Sequence, residues 1–264
     1  MGNPIAYSKS PLIHKTFARQ TEQQLSYQAI QVNEGSFPQA LAQFQQLGGK
    51  GLNITLPFKG DAYHSVDELT PRAEQVQAVN TIWFSADDRR YGDTTDGVGL
   101  LRDLHNHNFS CCDKSIIILG AGGAVRSVLP DLLENKPATI SIVNRTYSRA
   151  EGLVQQFSGY ENVGSCRLDE LAGRHFDLVI NGTSANLNGE MLALPDDLLE
   201  HGACCLDMAY ADTDTVFVRW AKDHGATVVL DGLGMLVEQA AESFYIWRSV
   251  RPETQPVIEM LRNS

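Results

Sequence analysis

The segment Ser115-Ile-Ile-Ile-Leu119 runs directly into Gly120-Ala-Gly-Gly-Ala124. Four apolar residues in a row suit a buried strand, and the glycines allow a tight turn with close backbone approach to a ligand. A helix following that turn aims its free N–H groups and positive dipole end at an anion. A glycine cluster alone is weak evidence. Here it follows a predicted strand, opens a predicted helix and precedes a second apolar run, Thr139–Val143, so it points to binding of a dinucleotide pyrophosphate. The end of the second run indicates which dinucleotide. A cofactor without a 2′-phosphate is usually held there by Asp or Glu on the ribose hydroxyls. This chain has Asn144-Arg145-Thr146, then Arg149. Two guanidinium groups and no carboxylate suit a doubly charged phosphate, which favours NADP over NAD. The bland alternative is a pair of solvated surface arginines.

The amino-terminal third carries polar residues where a core would not want them. Ser8 and Ser10 sit at a helix start and offer hydroxyls to an anion beside free N–H groups, although in isolation a simple N-cap at Ser10 with an exposed Ser8 is the better reading. Asn53 and Thr55 alternate with Leu52, Ile54 and Leu56, so both project from one face of a strand. Lys59 follows Pro57-Phe58 in an apolar stretch, where partial burial would lower its pKa toward a value useful for proton transfer. Asp96, in Gly92-Asp-Thr-Thr-Asp-Gly97, falls at a predicted domain junction, where a hydride donor in one domain would meet a substrate in the other. Taken singly, Lys59 reads as a solvated loop lysine and Asp96 as a turn residue before glycine.

Apolar runs alternate with amphipathic stretches along most of the chain, the pattern of β-α units around a largely parallel sheet. The pattern predicts a helix opened by Ser10-Pro11, a strand at Tyr27–Val32, a helix from Phe37 to Leu47, a strand at Gly51–Thr55, and a hairpin of Asn80–Ser85 with Arg90–Gly92. From Gly97 it predicts helices at Val98–Leu104, Ala124–Leu133, Ser148–Phe157 and Thr215–Asp223. Strands are expected at Ser115–Leu119, Thr139–Val143, Asp177–Asn181, Ala203–Met208 and Thr227–Leu230. The last predicted helix, Met235–Trp247, is apolar all round and should be well buried. Two domains follow, one from the amino-terminal third and one from about Gly97 to Gly232, with the last helix assignable to either.

Composition narrows the function classes. With 264 residues and 43% hydrophobic content there is ample material for a core. A formal charge of -11 argues against a nucleic-acid groove and obliges any anion site to be built locally. The cysteines, at 111, 112, 166, 204 and 205, form neither a disulfide framework nor a Cys-x-x-Cys metal or redox motif. Cys204 and Cys205 read as small core residues. His105 and His107 read as solvent-facing rather than as metal ligands, and no metal is expected. No signal peptide or membrane-length apolar run is visible, so the expectation is a reduced cytoplasmic protein acting on a small molecule, with no nucleic-acid or membrane partner.

Together these residues resemble the shikimate dehydrogenase family. The similar segments are Gly2-Asn-Pro-Ile-Ala-Tyr-Ser-Lys-Ser-Pro11, Gly51-Leu-Asn-Ile-Thr-Leu-Pro-Phe-Lys59, Ala78-Val-Asn-Thr81, Gly92-Asp-Thr-Thr-Asp-Gly97, Gly120-Ala-Gly-Gly-Ala124, Asn144-Arg-Thr146 and Asp231-Gly-Leu-Gly-Met235. They occur in the family's order and cover nearly the whole chain. Each alone is unspecific, and the joint match is highly specific.

The resemblance implies an α/β protein of two domains: a mixed substrate-binding domain over 1–96, completed by carboxy-terminal helices at 236–264, and a Rossmann-like NADP-binding domain with a parallel sheet over 97–235. The active site would lie in the cleft between them. The implied reaction is reversible NADPH-linked reduction of 3-dehydroshikimate to shikimate, on the route to aromatic amino acids. By the same resemblance Ser8 and Ser10 bind the substrate carboxylate, Asn53, Thr55, Asn80 and Asp96 hold ring hydroxyls, and Lys59 with Asp96 form the catalytic pair. Gly120, Ala121, Gly122, Gly123 and Ala124 form the cofactor loop, and Asn144, Arg145, Thr146 and Arg149 form the 2′-phosphate site. Thr183, Met208 and Gly232 line the nicotinamide end, while Tyr210 and Gln239 are substrate-side residues. A homodimer is compatible with this picture. Two rival readings are a quinate/shikimate dehydrogenase with broader substrate and NAD use, and a catalytically silent NADP-binding sensor. Two departures from the family stand out. Tyr7 occupies a position where relatives often carry histidine. Relatives also usually have a short apolar strand before the Gly-Asn-Pro motif, whose absence would leave a gap or an unpaired neighbour, so added apolar residues before Gly2 would be expected to raise Tm.

Overall fold

A computed structural model describes residues 1–183 and 190–263, and the chain divides into two compact units. The first comprises Met1–Gly99 with Leu236–Ser264 and the second Leu100–Met235.

In the first unit, helix α1 (Ser10–Gln20) buries Ile13, His14 and Phe17, and α2 (Phe37–Gln46) buries Phe37 and Leu41. Short elements follow: β1 (Gly51–Asn53), α3 (Lys59–Tyr63), β2 (Glu68–Leu69), α4 (Pro71–Val76), β3 (Thr81–Phe84) and β4 (Arg90–Asp93). The strands form a mixed sheet in the order β1-β3-β4-β2. The hairpin expected from the sequence is present as antiparallel β3 and β4, with Thr81 opposite Asp93. Val32, Phe37, Leu41, Leu52, Ile54, Phe58 and Ile82 make this unit's core. Three sequence expectations change here. Ser10 is the first helical residue rather than the cap: Lys9 precedes α1, and the Ser8 hydroxyl accepts the Ser10 N–H at 3.3 Å. Pro11, which has no N–H to lose, fits the helix's first turn. The Gly51–Thr55 strand is shorter, ending at Asn53. The expected strand Tyr27–Val32 reduces to one isolated parallel bridge between Gly2 and Gln31. Its apolar alternation is genuine, but strand character needs a partner, and among the described residues that partner is the short Met1–Gly2 backbone, lying between Ile30/Val32 on one side and Asn53/Thr55 on the other.

Helix α5 (Asp96–Asn106) leads into the second unit. There β5 (Ser115–Leu119), α6 (Gly123–Glu134), β6 (Thr139–Val143), α7 (Tyr147–Gln156), β7 (Val163–Cys166), β8 (Phe176–Asn181), β9 (Leu199–Asp207), α8 (Val216–Asp223) and β10 (Val228–Leu230) alternate along the chain. Every pairing is parallel, in the order β10-β9-β8-β5-β6-β7. This is the doubly wound order, and it reverses between β5 and β8, so ligands are expected beyond the carboxyl ends of those strands. Ile116 to Leu119 are fully buried, as a strand covered on both faces requires. Cys204 and Cys205 are core residues of β9, whereas His105 and His107 are exposed. The last long helix, α9 (Gly232–Arg248), buries Leu233, Val237, Ala240, Ala241 and Phe244, and α10 (Gln255–Arg262) follows it. Among the described residues, no helix is long and apolar enough to cross a membrane.

Candidate active site

Two helix starts bring the expected reactive pair together in the first unit. Lys59 opens α3 and Asp96 opens α5, so neither lies in the loop or turn its sequence context suggests. Lys59 Nζ donates to Asp96 Oδ2 at 2.5 Å, with side chains 22% and 11% exposed. Asp96 Oδ1 accepts from Asn80 Nδ2 at 2.8 Å. Asn80 is itself fixed, because its Oδ1 accepts from the Thr95 N–H at 2.9 Å and the Thr81 hydroxyl at 2.8 Å. Gln239, on α9, places Oε1 3.5 Å from Asn80 Nδ2 and 3.4 Å from Thr95 Oγ1, while its Nε2 donates to the Leu236 carbonyl. Lys59, Asn80, Asp96 and Gln239 thus form one hydrogen-bonded group around a partly open ammonium.

Asn53 lies behind that group. Its Oδ1 accepts from His14 Nε2 at 3.1 Å and Tyr27 Oη at 3.0 Å. Its Nδ2 donates to Ser243 Oγ at 2.9 Å, Thr81 Oγ1 at 3.2 Å and the Asn80 carbonyl at 3.3 Å. The amide is therefore engaged on both sides by protein groups. Thr55, just beyond β1, is exposed, while Ser8 and Ser10 are half-buried. Burial pushes the Tyr27 phenol up, against a hydrogen bond from Ser10 that links the α1 start to this network. Tyr7 is 92% exposed and takes no part in it. Residue-type arguments missed His14, Tyr27, Thr81, Thr95 and Ser243. His14, Tyr27, Thr81 and Ser243 are ordinary residues in helix or strand patterns and Thr95 lies between β4 and α5, and only the fold makes each the neighbour of an amide.

His14 has a measurable consequence. It is wholly buried, stacked on Tyr27 at 4.3 Å, and its Nδ1 has no hydrogen-bond partner. Burial lowers its pKa to about 3, opposed by the bond to Asn53. The imidazole stays neutral in the native protein but gains a proton on unfolding below pH 6.5, so this group's contribution is complete above about pH 6.5 and is lost as pH falls toward 3. The loss amounts to about 1.4 kcal/mol per pH unit across that window. Urea unfolding at pH 6.5 and 4.5 should therefore show a shallower acid loss in His14→Gln than in the wild type, by about 2–3 kcal/mol. Equal losses in both proteins would contradict the assignment.

In the second unit the glycine turn, the β6 end and the α7 start line one cleft of about 320 Å³. Its walls are Gly120, Ala121, Gly122, Asn144, Arg145, Thr146, Arg149 and Thr183 from the expected set, joined by Gly182, Glu190 and Leu192. Gly120 has φ +106°, a left-handed conformation that a side chain would strain, and an added Cβ would lie 3.0 Å from the Gly182 carbonyl oxygen. At Gly122 and Gly123 an added Cβ would meet nothing within 4 Å, so the backbone there faces open space. Gly122 and Thr146, which cap α6 and α7, make no side-chain cap bond, leaving first-turn N–H groups for a ligand. Arg145, Thr146 and Arg149 are exposed, and Asn144 Nδ2 donates to the Thr146 carbonyl at 2.8 Å. An open elbow of N–H groups beside two guanidiniums fits a dinucleotide carrying an extra phosphate.

Gly123 and Ala124 belong to the first turn of α6 rather than to the cleft wall. Met208 and Gly232 pack against each other nearby: an added Cβ at Gly232 would come within 2.3 Å of the Met208 carbonyl oxygen. Thr183 is held by Asn181 Oδ1, which accepts from its hydroxyl at 2.8 Å and its N–H at 3.2 Å. Tyr210 lies in this second unit, its phenol pushed up by burial, whereas Gln239 belongs to the first. Glu190, in the cleft wall, was not singled out because a lone acid between apolar residues has no distinctive spacing. Among the described residues no group of three or more His, Cys, Asp or Glu could hold a metal ion.

Comparison with known proteins converges on one family. Residues 1–82 match the shikimate dehydrogenase substrate binding domain, 103–190 the shikimate / quinate 5-dehydrogenase model and 232–262 the shikimate 5'-dehydrogenase C-terminal domain. The shikimate dehydrogenase (NADP(+)) of Alkalilimnicola ehrlichii is 54% identical over 263 residues, covering 99% of this chain and 97% of that protein. That of Cellvibrio japonicus is 52% identical over 261 residues, with coverage of 99% and 95%. The crystal structure of the Thermus thermophilus shikimate 5-dehydrogenase in complex with NADP(H) and shikimate superposes with a TM-score of 0.88 at 29% identity, covering 99% of this chain and 97% of the other. On these matches, which span both units and nearly the full length, the chain belongs to the shikimate dehydrogenase family.

Proposed function

We propose that the chain catalyses the reversible NADP-dependent interconversion of 3-dehydroshikimate and shikimate, a step of aromatic amino acid biosynthesis. The observation that carries this reading is the 2.5 Å contact of Lys59 with Asp96, set beside Asn80 and Gln239. The names of the curated relatives, shikimate dehydrogenase (NADP(+)), supply the substrate and cofactor. Gly120, Ala121 and Gly122 with the α6 start would hold the pyrophosphate, and Asn144, Arg145, Thr146 and Arg149 the 2′-phosphate. Gly123, Ala124, Thr183, Met208 and Gly232 would complete the cofactor site. When bound, NADPH supplies the hydride that converts the ketone carbon to an alcohol carbon.

The chain's own residues handle binding and the proton. Ser8 and Ser10 offer hydroxyls to the ring carboxylate at the α1 start. Thr55, Asn80 and Gln239 bond ring hydroxyls, and Asn53 acts from behind by holding Asn80 and Ser243 in place. Tyr210 is assigned to the substrate side by family resemblance. Lys59 Nζ gives a proton to the oxygen that gains charge, and its positive charge stabilises that oxygen as the charge develops. Asp96 keeps the ammonium aimed and takes the adjacent hydroxyl as a further donor. In the reverse direction the same amine accepts the hydroxyl proton. The five free thiols suit the reducing cytoplasm, where we place the enzyme.

The test is NADP+ reduction followed at the nicotinamide absorbance band, with shikimate and quinate as parallel substrates and NAD+ as parallel cofactor. Shikimate with NADP+ should exceed each alternative pairing by about tenfold or more in kcat/KM, one lost polar or charged contact each. Comparable rates with quinate and NAD+ would favour the broader quinate/shikimate reading, and no turnover at all would favour the silent sensor.

A further inference from the structure

We infer that Glu190 is a specificity-determining residue of the cofactor cleft that works against the bound cofactor, weakening NADP more than NAD. The inference deepens the reading of this cleft as an NADP site and rests on it. The observation is the charge composition of one wall: Arg145, Arg149 and Glu190 line the same space, so a carboxylate shares the pocket that two guanidiniums make attractive to phosphate. Glu190 is exposed, as are both arginines, and it lines the cleft with them. Nothing about it suits a ribose clamp of the NAD type, because that carboxylate stands at the end of the second parallel strand, and here that place holds Asn144 and Arg145.

The sign follows from charge alone. Glu190 and the two arginines face a cleft of about 320 Å³ that is open to water, so their effect on a ligand phosphate is that of solvent-screened charges. In water, one carboxylate facing a 2′-phosphate dianion across roughly 6–15 Å weakens binding about two- to tenfold without salt and about threefold or less at physiological ionic strength. NAD lacks that dianion and feels only the repulsion on its pyrophosphate, which both cofactors share. Glu190 therefore trims the advantage that the arginines give to NADP, leaving the order of preference intact.

The experiment measures Kd for NADP+ and NAD+ by calorimetry on the wild type, Glu190→Gln and Glu190→Lys, each at low and at physiological ionic strength. The neutral variant should bind NADP+ about two- to tenfold more tightly at low salt and about threefold or less at physiological salt, with a smaller gain for NAD+. The lysine variant should move further in the same direction. A residue that merely shapes the loop would not improve binding when altered, and its effect would not fade with salt. Unchanged or weakened NADP+ binding in Glu190→Gln, or equal gains for the two cofactors at every ionic strength, overturns the proposal. The wild-type preference for NADP+ over NAD+ tests the cofactor reading separately, so the two failures are distinguishable.

Discussion

Lys59→Ala should lower kcat by about a thousandfold while KM for shikimate changes less than about tenfold, because the lost group acts on charge that exists only in the transition state. The variant should fold normally. The first residue of α3 is anchored through its backbone, with the Lys59 carbonyl accepting from the Val79 N–H at 3.0 Å, and the side chain is not part of the core. Asp96 loses its cationic partner but keeps Asn80 Nδ2 at 2.8 Å, so the carboxylate remains placed. The ketone would still be bound by the hydroxyl and amide groups around it, and these set most of KM. What disappears is the donor that neutralises the forming alkoxide. Steady-state rates with NADPH and 3-dehydroshikimate, together with circular dichroism of the variant, separate chemistry from folding. A kcat within tenfold of wild type would acquit Lys59 and move the proton to another group. A large rise in KM with kcat preserved would make Lys59 a binding residue instead.

How far the sequence reveals this arrangement differs between the two units, for a physical reason. In the second unit the central parallel strands are buried on both faces over most of their length, so β5, β6 and β8 read as apolar runs, and the glycine turn is written in contiguous residues. There the elements fall within a few residues of expectation, although β7 (Val163–Cys166), with two glycine or serine positions, escapes notice. In the first unit the elements are short and their pairing is non-local. The two-residue β2, five-residue α3 and six-residue α4 give no periodicity to read. Asn80 and Asp96 are separated by the whole β3–β4 hairpin, and Ser243 meets Asn53 across 190 residues of sequence. Candidate groups such as Lys59 and Asp96 could be named from residue type and family pattern. Their partnership is a product of the fold, because two helix starts distant in sequence converge on one point.

Arg145→Ala should raise the Kd of NADPH about 10–100-fold while changing that of NADH about twofold or less, since a charge-assisted bond to phosphate is lost only where the phosphate exists. Arg145 follows β6 and Arg149 sits in the first turn of α7, so the two guanidiniums approach the cleft from different elements. Arg149→Ala alone should therefore cost less than the pair, and the double variant should approach the affinity of NADH for both cofactors. Lysine at 145 should restore only part of the loss, because an ammonium keeps the charge but not the planar fork. Raising ionic strength should weaken NADPH binding to the wild type more than to Arg145→Ala, as both arginines are exposed and screened. Equal losses for NADPH and NADH would mean that Arg145 touches the shared adenosine or pyrophosphate, and the preference for NADP would then have to come from Arg149 and the α7 N–H groups alone.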